Sequence, residues 1–591
     1  MAARRSCNTS PDYPSCIAFS GPCGAQPPSS LLRRYGRLLV VCLLVGLIAG
    51  PGRADALSIT RHETRPDSLS SPPLLGVVWT PPEHTSPALQ ALTRMHKSGV
   101  TAVRLRSLPP ADTVFGHADT LGLRLFVDLP VASVAAAALD DSLRAARPLL
   151  ATLQRLARQH PSLYAVGLAR GADTSTPAAC APLRHWTQRV HEAPPSLNTY
   201  YVTPFSAEND RCRDATDWVL LDTRGRSSPA RRWTRWRDST AQVGLGALGT
   251  WVLPGTGPGL HVPHSPEQQA RHLERTLTTL LDDEPVRTAP IFAYRWADRS
   301  PSPLPSRRYG LHTQDGRARP AASVLSGIYR GTQRVFAFPI GTSPSDTPIG
   351  ALLLGWVLLA LLGGLYAQNP FVRQTLYRYF GAHGFYRDAV REGREVGGVE
   401  NGVLLCAIGG ALGIVGALVA DIAAPQPATG LVVEALPVSL QSLIARGLTH
   451  PPVAGLAVGG LGILLLAGWG TLLTLTARAE EPFSAAQGLV LVTWPCWPAM
   501  PIMIVALVAA THPPLSPELM SLSLLIGGAL AISAVTFRIL RDYWLVSGVS
   551  LPWALLLVVP SPLSLTLLGL GVLVYTYDLP VALLWHLVTR T

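Results

Sequence analysis

The chain is almost without lysine: Lys97 stands alone among 591 residues, so the formal charge of +12 is carried by arginine. Those arginines are scattered and form no stripe interleaved with stacking aromatics, which argues against a nucleic-acid partner. The histidines, His261 and His264 among them, show no ligand-like pairing, and no zinc spacing, phosphate loop, nucleotide fingerprint or serine-centred elbow is present. No metal and no cofactor are therefore expected. Of eight cysteines, Cys7, Cys16, Cys23 and Cys42 lie in or before a leader-like segment, and Cys406 and Cys496 lie in apolar runs. Only Cys180 and Cys212 remain. They either form one disulfide or stay apart, because sequence separation does not report geometry. No cysteine is placed as a lipid-modification site.

What is present changes character near Pro348. Before it, short β-branched runs alternate with amphipathic ones; after it, long stretches of Leu, Gly, Ala and Val dominate. Near the start, Arg33 and Arg34 precede the apolar run Leu38–Gly50 and then Ala54-Asp55-Ala56. That order is the grammar of a secretory signal cleaved after Ala56, with an uncleaved anchor as the competing reading. The expected organisation is a signal region over 1–56, an extracytoplasmic domain over 57–340, a linker over 341–348 and a membrane domain of six to seven helices over 349–591. The expected location is the inner (plasma) membrane, with the first domain outside the cytoplasm.

Strand-like runs recur at LLGVVW (74–79), TAVRLRS (101–107), RLFVDLPV (124–131), LYAVGLA (163–169), NTYYVTP (198–204), WVLLDTR (218–224), AQVGLGALG (241–249) and IFAYRW (291–296). Stretches of helical periodicity separate most of them; the connection Ser206–Ala215 is short and only weakly helical. Nearly continuous apolar strands, each followed by a helix, predict an α/β fold with a parallel sheet covered on its faces. Eight such units fit a (β/α)8 TIM barrel, here followed by an all-α polytopic membrane domain. Chemistry in such a barrel sits at the C-terminal strand ends. Those ends carry Trp79 and Glu83, Arg104 and Arg106, Asp128, the run Ala169–Asp173, Tyr200 and Tyr201, Asp222 and Arg224, Trp251, and then Arg295, Trp296 and Asp298.

Apolar spans are expected at Ile349–Ala367, Val403–Ala424, Val453–Thr476, Gly488–Ala510 and Ser521–Phe537, with one or two more between Tyr543 and Tyr577. With an exported first domain, Arg373, Arg378, Arg387, Arg391, Arg394, Arg478, Arg538 and Arg541 fall on the cytoplasmic side, as the positive-inside rule requires. An odd number of spans would put the C-terminus there too. The segment Phe371–Glu395 reads either as an amphipathic surface helix or as a solvated connector. Ionisable residues are nearly absent from the spans, which counts against ion-coupled transport. The pairs Gly409-Gly410, Gly459-Gly460 and Gly527-Gly528 read as close helix packing.

The passages GVVW, MHKSGVTAVRLRSLPP, HADTLGLRLFVDLP and YRWADRS…YGLHTQDGRARPAASVL resemble the catalytic barrels of the retaining glycoside hydrolase clan that includes β-galactosidases and many cellulases. The later spans vaguely resemble five-span Yip-type membrane domains. The glycosidase resemblance implies that Arg104 is a substrate-site arginine and Trp296 a sugar-stacking ring. It also implies two carboxyl groups, after strands four and seven, some 5–5.5 Å apart. Here Arg170-Gly171 stands where the first is expected, and VGLGALGTWV contains no acid. Asp173, Asp128 and Asp298 are the fallback acids, each as readable as a salt-bridged loop residue. Trp79, Tyr201, Trp251 and Trp296 either stack on a sugar at the barrel mouth or cap the core. Three functions follow. They are a non-catalytic barrel that binds a carbohydrate or an envelope protein beside the lipid bilayer, a glycosidase with relocated carboxylates, and a scaffold subunit of a membrane assembly.

Overall fold

The computed structural model describes residues 74–591, apart from 193–196, 238–241, 283–288, 300–303, 305, 343–347, 395, 479–482 and 512–516. The signal region over 1–56 lies outside the described residues, as does most of the linker over 341–348. Eight strands run β1 Leu75–Trp79, β2 Ala102–Leu105, β3 Arg124–Asp128, β4 Leu163–Arg170, β5 Asn198–Thr203, β6 Trp218–Asp222, β7 Gln242–Leu248 and β8 Ile291–Tyr294. All pair in parallel and in chain order, and β1 pairs with β8 to close the barrel. The helices between and after them are α1 Thr85–Lys97, α2 Thr113–Thr120, α3 Leu139–Ala145, α4 Arg147–Gln159, α5 Cys180–His191, α6 Pro229–Arg237, α7 Pro266–Leu281 and α8 Pro320–Tyr329. No helix joins β5 to β6, matching the weak periodicity of that connection.

Two apolar layers hold the barrel. The interior is filled by Val78, Phe126, Tyr200, Val202, Leu220, Phe292 and Tyr294. The layer between strands and helices holds the alternate residues, among them Trp79, Leu105, Tyr201, Leu221 and Trp296. This is the two-period of a strand read out on both faces, each of which is dry. Cys180 at the start of α5 is disulfide-bonded to Cys212 in the β5–β6 connection, closing a separation of 32 residues.

The second half is helical: α9 Ile349–Gln368, α10 Pro370–Gly381, α11 His383–Arg391, α12 Gly398–Ala423, α13 Pro427–Ala435, α14 Val438–Thr449, α15 Pro451–Thr476, α16 Ala485–Thr493, α17 Ala499–Thr511, α18 Pro517–Val546, α19 Leu551–Leu556, α20 Pro562–Thr576 and α21 Val581–Thr589. Among the described residues, four helices are long and apolar enough to cross a membrane: α9, α12, α15 and the continuous stretch Ala485–Thr511. A fifth is added if α20 and α21, bent by 109°, count as one span. The span placed at Ser521–Phe537 lies in the 30-residue α18, whose last third carries Arg538, Arg541 and Asp542. The stretch after Tyr543 is broken at Pro552 and Pro562, each of which starts a new short helix.

Helices α12 and α15 meet through glycine. A Cβ on Gly413 would stand 2.9 Å from the Gly455 carbonyl oxygen, and one on Gly459 2.5 Å from that of Gly409. Gly460, Gly527 and Gly528, expected to pack likewise, have no described neighbour within 4 Å of such an atom. Segment 371–394 is neither a free connector nor a bare surface helix. Tyr379, Tyr386 and Val390 are buried, the Tyr386 hydroxyl donates to Val490 O at 3.3 Å, and His383 Nε2 lies 2.9 Å from an Asp542 oxygen.

Residues 70–591 form one compact unit, and the barrel touches the helical half at two places. Phe205 after β5 packs on Leu583 and Leu587 of α21, while Leu304 packs on Val433 of α13 and Ala445 of α14. Asn209 donates to the Arg590 carbonyl at 2.9 Å and Arg232 Nη1 to that of Thr591 at 3.1 Å. The last residues therefore lie on the barrel's side of the helical region.

Candidate functional site: an arginine cavity at the barrel mouth

Deep in the barrel, Arg104 grips Asp128 with both prongs of its guanidinium. Nε donates to Oδ1 at 2.9 Å and Nη2 to Oδ2 at 2.6 Å, and Nη1 donates to the Gly246 carbonyl at 2.8 Å. The Tyr200 hydroxyl donates to Asp128 Oδ1 at 2.6 Å. Burial alone would lower the pKa of Arg104, but the Asp128 charge outweighs it and holds the guanidinium above its ordinary range. Burial, reinforced by Asp128, pushes the Tyr200 phenol well up. All three side chains are buried and engaged with one another.

The other fallback acids are likewise engaged. Asp298 Oδ2 accepts from Arg319 at 2.5 Å and Oδ1 from the Gly310 backbone at 2.8 Å. Asp173 accepts from the Ser175 hydroxyl at 2.5 Å, and its Oδ2 lies 3.0 Å from His586 Nδ1 on α21. None of the three lines the cavity at the mouth. At the end of β4, Gly171 has φ +63°, a left-handed conformation that an L-glutamate adopts only with strain. On β7, a Cβ on Gly246 would meet Leu220 Cβ at 2.8 Å and Arg104 Nη1 at 3.3 Å. Both positions are shaped around something other than an acidic side chain.

None of the four aromatics read either as sugar-stacking or as core-capping is among the residues that line the cavity at the mouth. Trp79, Tyr201 and Trp296 are buried at 4%, 1% and 5% exposure in the strand–helix layer, pointing away from the barrel axis. Tyr201 donates to Asp210 at 2.9 Å, and the Trp296 ring packs on His312 with centroids 4.4 Å apart. Trp251 lies behind the mouth, stacked on His264 at 4.5 Å, edge-on to Tyr309 at 5.8 Å and covered by the Arg307 guanidinium at 4.3 Å. Its role is to back the wall that Arg307 and Tyr309 present. Arg104 lies beneath the mouth, locked on Asp128.

What does line the mouth is a cavity of about 700 Å³. The barrel contributes Arg106 from β2, Arg170 from β4, Asp222, Arg224 and Arg226 from β6, and Tyr294, Arg295, Arg299, Arg307 and Tyr309 from β8 and the loop after it. The roof comes from α13 and α14, which together connect α12 to α15; it includes Glu434, Gln441, Ser442 and Arg446. Among the described lining residues, eight are arginines and two are carboxylates. Both carboxylates converge on one arginine. Arg224 Nη2 donates to Asp222 at 2.7 Å, and its Nη1 donates to Glu434 Oε1 at 2.7 Å.

Burial would raise the Glu434 carboxyl, but the charge and hydrogen bonds of Arg224, with Arg106 and Arg295 nearby, hold it below its ordinary value. Tyr294 sits at the floor with its hydroxyl accepting from Arg106 at 2.7 Å and the Arg224 guanidinium 4.6 Å from its ring centre. Tyr309, edge-on to Tyr294, is pushed up to about 12 by burial. Arg295 and Arg307 are 8% and 4% exposed; Arg307 Nη2 donates to the Ala424 carbonyl and to that of Gln426 at 2.7 Å, and Arg295 Nε and Arg307 Nη1 have no hydrogen-bond partner among the described residues. Partly desolvated guanidinium groups gathered around one cavity make a site that an anion would complete.

Sequence reading named several of these strand-end arginines but missed Glu434, Arg446, Arg307, Tyr294 and Tyr309 as one group. One signal for Glu434 was available: it is the only acid between Asp421 and Glu480, in an otherwise apolar stretch.

No family model matches the chain, and no curated protein matches it. Among solved structures, it is similar to a GH2 β-galacturonidase from Eisenbergiella tayi bound to galacturonate, with 13% identity, a TM-score of 0.40 and coverage of 45% of this chain and 53% of that one. A β-D-glucuronidase from Dictyoglomus thermophilum gives 13% identity, a TM-score of 0.39 and coverage of 45% and 52%. A β-glucuronidase from Ruminococcus gnavus in complex with D-glucaro 1,5-lactone gives 16%, 0.38 and coverage of 44% and 50%. The chain spans about half the length of these structures. The barrel assignment itself rests on its own closed strand order.

Proposed function

We propose that this chain is a membrane-held, glycoside-hydrolase-like barrel that does not hydrolyse glycosides and instead binds an anionic carbohydrate, one bearing uronate, sulfate or phosphate groups, at its roofed mouth. The observation that carries the reading is the arginine cavity, where eight of the described lining residues are arginines and the two lining carboxylates share one guanidinium. Retaining hydrolysis needs one carboxyl as nucleophile and a second able to give up a proton. Here Asp222 and Glu434 share one guanidinium, and a Glu434 held below its ordinary range is a poor proton donor at neutral pH. The scaffold reading keeps one specific support, the roof that α13 and α14 lay over the mouth.

The same reading sets the topology. The α13–α14 connection and the last residues both touch the barrel, so even numbers of crossings separate them. Single crossings by the four long apolar stretches α9, α12, α15 and α16–α17, with two further crossings assigned to α18 and α20, satisfy this. Arg373, Arg378, Arg387, Arg391, Arg394, Arg478, Arg538 and Arg541 then lie opposite the barrel, which puts the barrel outside the cytoplasm and the chain in the inner membrane.

The test uses the full chain in detergent, titrated by calorimetry with oligogalacturonate and with a neutral oligosaccharide of equal length, alongside aryl-glycoside hydrolysis. Salt-sensitive binding of the acidic sugar alone, without turnover, is expected. Turnover abolished by Glu434→Gln or Asp222→Asn would replace this reading with the relocated-carboxylate enzyme.

A further inference from the structure

The roof of the cavity has two faces of opposite character. Helix α14, Val438–Thr449, turns Gln441, Ser442, Ala445 and Arg446 toward the arginines. At 100° per residue, Leu440, Leu443 and Ile444 lie on the opposite side, and Leu443 is 66% exposed. Such a helix, with one apolar face bare and one polar face occupied, lies in the plane of a membrane interface with the apolar face in the acyl boundary. Its position agrees: the connection it belongs to begins where α12 ends at Ala423 and finishes where α15 starts at Pro451, and both of those helices are long and apolar enough to span. The arginine cavity therefore lies at head-group depth, separated from the acyl region by the thickness of one helix. Arg106, Arg170, Arg224, Arg295 and Arg446 line this space from both sides.

We infer that the cavity takes its anion from the bilayer, as the phosphate- or uronate-bearing head group of a lipid whose tails run beside Leu443 and Ile444. This rests on the reading of the cavity as an anion site and adds the source of the anion. A charged head group would pair with the arginines that line the cavity, and its tails would remain in the acyl layer beside α14. A soluble oligosaccharide shares the head-group chemistry but gains nothing from the apolar face of α14.

The test takes the full chain in mixed micelles containing equal phosphatidylglycerol and phosphatidylcholine, reads the lipids retained by native mass spectrometry, and separately titrates soluble oligogalacturonate. Wild-type protein should retain phosphatidylglycerol over phosphatidylcholine by roughly tenfold, with Arg446→Gln reducing that preference severalfold. The double variant Leu443→Ser and Ile444→Ser, changing surface residues, should lose lipid retention while oligogalacturonate binding stays as it was. Oligogalacturonate binding without any lipid preference would overturn the inference and leave the anion-site reading standing. A lipid preference indifferent to Arg446→Gln would also overturn it, as annular binding, and the absence of both kinds of binding would overturn both readings.

Discussion

The barrel holds two arginine–carboxylate clusters that look alike in sequence and differ in closure. In the interior, Arg104, Asp128 and Tyr200 satisfy one another, and the third guanidinium nitrogen finds the Gly246 carbonyl. At the mouth, Arg224 satisfies Asp222 and Glu434, while Arg295 and Arg307 keep buried donors with no acceptor. A buried ion pair with every hydrogen bond made is architecture; its desolvation cost is offset by geometry and nothing further can bind. A buried cationic group whose hydrogen bonds are incomplete is held at a cost that a ligand can relieve. The comparison teaches that an arginine–carboxylate cluster marks a binding site where the arginines lining an open cavity outnumber the carboxylates that face them.

Breaking the closed cluster should have the largest effect. Asp128→Asn strands the Arg104 charge inside the barrel and should cost about 3–5 kcal/mol, read as a lowered unfolding midpoint by near-ultraviolet dichroism. Trp296→Ala should cost a similar ~3–5 kcal/mol through its cavity in the strand–helix layer, yet leave oligogalacturonate affinity unchanged by calorimetry. A loss of affinity with unaltered stability would return that ring to the mouth. Arg295→Gln, in the open cluster, should do the reverse, weakening oligogalacturonate binding about tenfold with a small change in stability.

The smallest effect is one of pH. Glu434 is more acidic when docked on Arg224 than when exposed, so its contribution to docking is fully present above the ordinary glutamate value of 4.5 and is lost as pH falls through the lower docked value. Hydrogen exchange across 427–435 should accelerate over that acidic window. In Glu434→Gln the window should vanish.

The barrel was legible because its eight strands are continuous apolar runs, and even the missing β5–β6 helix showed as weak periodicity. The facing of the strand residues was not. When both sides of a strand are dry, Val78 and Trp79 are equally apolar and nothing in the pattern says which one points to the axis. The absence of acids after strands four and seven could be read, and the φ of Gly171 gives a local backbone reason for one of them. The pairing of Arg224 with Glu434 spans 210 residues and joins the barrel to a connection between two apolar helices, so no local pattern could announce it. Cys180 and Cys212 were the available pair by elimination, but only the fold brings α5 against the β5–β6 connection.

The contacts of α21 have a bearing on how the molecule is put together. Phe205 and Asp173 belong to the first half of the chain, yet the residues that cover them, Leu583, Leu587 and His586, are made only after all the helices between, His586 413 residues after Asp173. A barrel emerging first therefore waits with an uncovered phenylalanine and an incompletely matched aspartate until α21 has been made, so this contact ties the finish of the barrel surface to the helices that come after it.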